Sequence, residues 1–131
     1  MESVLTTIKA ILKLDIEKGH KKIFLSRCLW MLSEVDGKYT TRYKSENSIG
    51  KSKGDVHHEH VFERKRLGEM LLKSSGNVKK IIKQSVGCVV TRTEHKKLDQ
   101  VCRKNPRLTG WQRYKAAGIK VFDCKTGNYK F

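Results

Sequence analysis

Three of the five histidines crowd into four positions, where His57, His58, Glu59 and His60 form a run of HHEH. A further histidine, His95, stands well beyond them, with Asp99 four places after it. Imidazoles and carboxylates share two capacities: they bind divalent cations, and an imidazole moves protons near neutral pH. Alternate side chains of a strand share a face, so a strand through this run would put His58 and His60 on one side, His57 and Glu59 on the other. On a helix, positions i and i+4 are neighbours, which sets His95 beside Asp99, both able to coordinate a divalent ion. Asp99 could equally pair with Lys96 or Arg103.

These groups need elements to hold them. The stretch from Asp55 to Phe62 alternates as a short strand does, and the β-branched run over 86–91 suits a buried strand. Thr91 or Thr93 would cap a helix from Glu94 to Arg103, ended by Asn105-Pro106. Upstream, Val4, Leu5, Ile8, Ile11 and Leu12 predict a helix over 3–18 that stops at Gly19. A second helix is expected over 21–34, with Ile23, Phe24, Cys28, Trp30, Met31 and Val35 forming an apolar face beside Arg27. The polar segment 36–55 reads as a loop or short hairpin. Further helices are expected over 63–73, 78–83 and 109–117, with a turn at 74–77 and a last short strand in IKVFDC. Gly118 is expected to end the helix over 109–117.

Charge narrows the partner. The 131 residues carry 29 Lys and Arg against 13 acidic residues, a formal net charge of +16. Such an excess costs stability through self-repulsion, and a polyanion offsets the cost. Nucleic acid fits, because its phosphates release counterions to Lys and Arg. A membrane-surface binder concentrates its charge in a tail or one helix. Here the cations run from Lys9 to Lys130 without a block, and no apolar run approaches the roughly 20 residues of a span. The N-terminal stretch does not read as a secretory signal, so a cytoplasmic site of action is expected. Cys28, Cys88, Cys102 and Cys124 form no CxxC pair and are expected to be free thiols, with a composite zinc site the alternative.

VHHEHVF resembles the first strand of HNH nucleases, where an acidic residue or a histidine precedes a catalytic histidine, as in DHI or HHI. CVVTRTEHKKLD is similar to their second half, where a strand ending in a pattern like LTRSEH enters the helix that carries metal ligands. The resemblance covers roughly residues 55–100. It implies an α+β fold, a mostly helical small single domain built around a ββα-metal motif. The chain would then divide into an N-terminal helical pair at 1–35, the ββα core at 55–103 and a C-terminal extension at 104–131. By the same resemblance Glu59 would be a metal ligand and His60 the general base. His95 would be the ligand at the helix start and Asp99 a further ligand one turn on. A second register makes His57 the ligand and His58 the base. One departure stands out: the family's middle Asn usually falls just before the second strand, where this chain has Val86. Asn77, Gln84 or a backbone carbonyl would have to orient His60 instead.

The implied reaction is hydrolysis of a phosphodiester in DNA, with RNA less favoured, around one divalent cation. Mg²⁺ or Mn²⁺ suits mixed carboxylate and imidazole ligation, while Zn²⁺ or Ni²⁺ could bind without supporting turnover. Arg92 is the expected clamp on the scissile phosphate, with Arg64 and Arg66 as nucleic-acid contacts. Lys65 and Arg66 could also be a solvated face. Arg42, Tyr43 and Lys44 place an aromatic among cations, which suits stacking on bases as well as it suits an exposed loop. Trp111, Arg113, Tyr114 and Lys115 could contact nucleic acid beyond the cut, although Trp and Tyr at helical spacing are more often core. A phage or mobile-element setting is the one the resemblance suggests. A homodimer would cut both strands and a monomer would nick. The competing readings are a non-catalytic DNA- or RNA-binding module with a degenerate site, and a metal-free ribonuclease.

Overall fold

The computed structural model describes residues 2–73 and 76–131. Ser74 and Ser75, half of the expected turn, lie outside the described residues. Helix α1 (Glu2–Lys13) turns Leu5, Ile8 and Ile11 inward along one stripe. Helix α2 (Lys18–Ser33) starts before Gly19, so the expected stop at that glycine is corrected. The break falls at 14–17 instead. Lys21 closes it from both sides: its backbone N–H donates to Glu17 O, and its ammonium donates to Leu12 O at the end of α1.

The apolar face expected on α2 is also corrected. Ile23, Phe24, Met31 and Val35 are exposed, while Leu25, Cys28, Leu29 and Leu32 are buried. Apolar residues surround this helix, and its neighbours cover only one side. Helices α3 (Arg64–Lys73) and α4 (Val78–Ile82) complete that cover with Leu67, Leu71, Val78, Ile81 and Ile82.

The five strands are β1 (Tyr43–Ser45), β2 (Val56–His60), β3 (Gly87–Thr91), β4 (Val121–Asp123) and β5 (Asn128–Tyr129). They form one sheet in the order β2-β3-β1-β4-β5. β1 runs parallel to β3, and the other pairs are antiparallel. The segment read as a loop or hairpin therefore supplies a central strand, whose partners come from distant parts of the chain.

β3 feeds directly into α5 (Arg92–Lys104). Thr91 is the N-cap, and it forms a reciprocal capping box with Glu94. The short α6 (Trp111–Ala116) lies beyond it. Val61, Cys88, Val90, Leu98, Tyr114, Ile119 and Val121 form a second apolar cluster between the sheet and these two helices. Phe62 packs against both clusters, so one small α+β domain results. Among the described residues no helix is long and apolar enough to cross a membrane, and all four cysteines are free.

Candidate metal centre

The register of β2 on β3 decides which side chains meet. Glu59 lies opposite Cys88 and His57 opposite Val90. Cys88 and Val90 face the second apolar cluster, which α5 covers. Residues directly opposite in an antiparallel pair share a face, so His57 and Glu59 come up beneath the first turns of α5. There His95 Nδ1 lies 2.6 Å from Glu59 Oε2, and the His57 and His95 rings stack with centroids 4.0 Å apart. His57 Nε2 is 3.9 Å from the same carboxylate oxygen. One ligand atom from each of His57, Glu59 and His95 can be chosen so that all three lie within 4.8 Å of one another. That spacing and donor set suit one divalent cation. Burial lowers the His57 pKa, with the nearby His95 adding to it against the pull of Glu59. A neutral imidazole is the form that ligates a metal.

Asp99 stands apart from this group. Its Oδ2 is 3.6 Å from His95 Nε2, on the far side of the ring from Glu59. At that distance the two form no hydrogen bond, and Asp99 lies outside the group of three that could share an ion, where a ligand was expected.

His58 and His60 occupy the other face of β2, as the alternation predicts, with rings 5.6 Å apart edge to face. His58 is buried and its Nδ1 lies 2.5 Å from Lys38 O. That removes it from the position of a base, and with it the register that made it one. The ring fits only because residue 87 is glycine: a Cβ there would meet His58 Cε1 at 2.4 Å and Ser33 O at 2.8 Å.

His60 sits at the end of the strand and differs. It lines a cavity of about 710 Å³ together with Glu59, Asp99, Cys102, Arg113 and cations including Lys22, Arg64 and Lys65. Burial, then the charge of Arg64, lowers its pKa to about 4. It is neutral at pH 7, and the same burial makes it a weaker base than an exposed imidazole.

The expected nucleic-acid contacts divide. Arg64 lines the cavity, and exposed Arg66 lies in the neighbouring groove with Lys65, Glu69 and Lys73. Arg92 is exposed but lines a separate groove with Asn47, Lys51 and Thr93, and its Nε donates to Gly54 O at 2.6 Å. It therefore lies outside the cavity that His60 lines, although its charge reaches His57. Arg42 is held in a bidentate pair with Asp123, which neutralises it locally. Tyr43 packs edge-on against Trp111, with ring centroids 5.0 Å apart, and Lys44 is half-buried within β1. Tyr114 is fully buried, so this aromatic belongs to the core.

Arg113 is the largest departure. It is 5% exposed, contributing only to the wall of the cavity that His60 lines. Its Nη2 donates to His60 O at 3.1 Å and Val61 O at 2.5 Å, and its Nη1 to Cys102 Sγ at 3.5 Å. Burial opposes its charge, but the Cys102 contact and the fields of Tyr114, Cys102 and Glu59 outweigh it and raise the pKa of the guanidinium.

A second buried charge, Glu94, escaped the sequence reading. It accepts from Ser45 Oγ at 2.5 Å and from Thr91 N at 2.9 Å, tying β1 to the start of α5. The capping-box spacing of Thr91 and Glu94 was the available signal. Asn77 is the N-cap of α4, and Gln84 lies with it along a groove on the helical side.

Comparison with family models, curated proteins and solved structures gave no match to this chain.

Proposed function

We propose that this chain is a metal-dependent endonuclease of the HNH type that hydrolyses phosphodiester bonds in DNA. The observation that carries the reading is the meeting of His57, Glu59 and His95 within 4.8 Å at the junction of a strand pair and a helix start. We read this two-strand-and-helix unit, β2, β3 and α5, as the ββα-metal motif that the resemblance implies. His57, Glu59 and His95 would hold the ion, with the Asp99 carboxylate nearby on the next turn of α5.

An ion held by His57, Glu59 and His95 would supply positive charge to offset the negative charge that phosphodiester hydrolysis builds up. The chain's own groups supply the rest. His60 borders the same cavity as Glu59, and we assign it as the group that takes the proton of the attacking water. Arg64 and Lys65 draw the phosphate into the cavity. The net charge of +16 favours a polyanionic substrate.

The test is cleavage of supercoiled plasmid in Mg²⁺, Mn²⁺ or EDTA by wild type, His60→Ala and His95→Ala. Nicking or cutting is expected with either metal and none in EDTA. Each variant should lose at least about 10²-fold in rate while still retarding DNA in a gel. Cleavage that survives EDTA, full activity in His95→Ala, or a wild type that binds DNA without cutting it under any divalent ion would overturn the assignment.

A further inference from the structure

The HNH resemblance leaves His60 without the middle Asn that would orient it. Neither Asn77 nor Gln84 lines the cavity that holds His60. The fold puts another group there. β2 is the edge strand of the sheet, and its pairing register with β3 ends at His60 opposite Gly87. Beyond that point the chain must turn from β2 into α3 within three residues, 61–63. A strand end at a sheet edge has carbonyls without ladder partners, and their direction sets the direction of the side chains beside them.

Arg113 fills this gap. Its Nη2 donates to two successive carbonyls, His60 O and Val61 O, and its Nη1 reaches Cys102 Sγ on α5. The helix carrying His95 and Asp99 is thereby tied to the strand end carrying His60. A guanidinium is a planar fork that spans such acceptors, which an ammonium cannot do.

Burying this charge is costly, and an apolar side chain of similar size would fill the space more cheaply. Nor is the approach accidental. Gly110, just before α6, has φ +56, and a Cβ there would meet the Phe62 ring at 2.2 Å. Only glycine lets α6 come close enough to the 61–63 turn for Arg113 to reach it.

We propose that Arg113 is a positioning residue that aims His60 across the cavity toward the phosphate, in the place of the middle Asn. This rests on the nuclease reading above. Because its Nη donors are taken up by backbone carbonyls and a thiol, Arg113 acts through His60.

The test compares Arg113→Lys, Arg113→Met, Gly110→Ala, His60→Ala and the double variant His60→Ala/Arg113→Met. Turnover on plasmid, KM, Mn²⁺ affinity and histidine-selective ¹⁵N spectra are measured on each folded protein. Arg113→Met should lower kcat by about 10²-fold, the scale of a misaimed catalytic group. KM and Mn²⁺ affinity should stay within about threefold of wild type, with Arg113→Lys intermediate and Gly110→Ala falling in kcat the same way. In a His60→Ala background the Met substitution should cost nothing more, because residues that act as one unit are not additive.

Multiplicative losses in the double variant, or a folded Arg113→Met with wild-type kcat, would overturn the proposal. The spectra need no turnover. His60 ring signals should shift in Arg113→Met while those of exposed His20 stay in place. Unmoved His60 signals overturn the positioning role whether or not the protein cuts. A wild type that never cuts, with His60 signals that do move, would instead sink the nuclease reading and leave the positioning intact.

Discussion

The helical half of the molecule and the sheet half are held together differently. In the cluster between α1, α2, α3 and α4 the buried groups are almost all apolar, and the polar contacts tying its segments together are simple ones to backbone carbonyls, Lys21 Nζ donating to Leu12 O and Ser85 Oγ to Leu29 O. The sheet half buries Ser45, Ser48, His58, Glu94, Arg113 and Asp123 among its apolar residues. Burying a polar group is costly unless it finds a partner, and most of these groups do. Apolar packing tolerates exchange of shape, whereas a hydrogen-bonded network fixes one geometry. The half that needs accurate placement of His57, Glu59, His60 and His95 is the half built on directed bonds.

Substitutions should separate the two halves by what they damage. The largest effect is expected at the centre itself: Glu59→Gln should lower plasmid cleavage by about 10³-fold, within the range for loss of a metal ligand or general base, with thermal stability little changed. A comparable loss of both would place Glu59 in the scaffold and not in the site.

Next comes the helical cluster. Leu29 is fully buried, so Leu29→Ala should cost about 2–5 kcal/mol in denaturant unfolding. The folded fraction should keep its activity. Glu94→Ala should reverse that pattern. Loss of a buried acceptor leaves Ser45 Oγ and Thr91 N unpaired, at about 1–3 kcal/mol. Because it frees the start of α5 beside His95, its kcat should drop more than that of Leu29→Ala. Equal behaviour of the two variants would erase the contrast.

The smallest effect is expected at the sheet margin. Arg42 holds the Asp123 carboxyl well below the usual carboxylate range, against the opposing effect of burial. The unfolded chain therefore takes up this proton first, so the pair's contribution is full above the unfolded value near pH 4 and declines as the pH falls further. Arg42 is partly exposed, so Asp123→Asn should cost only about 1 kcal/mol at pH 6. The difference from wild type should shrink at pH 3. A difference that did not shrink would mean that another group carries the acid sensitivity.

Local signals made β2, β3 and α5 legible in the amino-acid sequence. The β-branched run of 86–91 and the Thr91 cap act within a few residues of the elements they mark. Alternation correctly divided His57 and Glu59 from His58 and His60, because a strand's two faces follow from its pleat. β1 and β5 were not legible. They have three and two residues, and β1 exists only through pairing with β3 and β4, far along the chain. Arg113 misled for a related reason. In WQRY a guanidinium bound for the core reads like one bound for solvent, and what decides is the close approach allowed by Gly110 against Phe62. The exposed Ile23, Phe24 and Met31 show the converse: apolar residues all round a helix do not say which side finds a neighbour.

Titration of Mn²⁺ into the metal-free protein, followed calorimetrically, tests the central claim most directly. One saturable site per chain is expected, lost in both Glu59→Gln and His95→Ala and only weakened in Asp99→Asn. Absence of saturable binding in wild type, or a site unchanged when Glu59 and His95 are both replaced, would contradict the account.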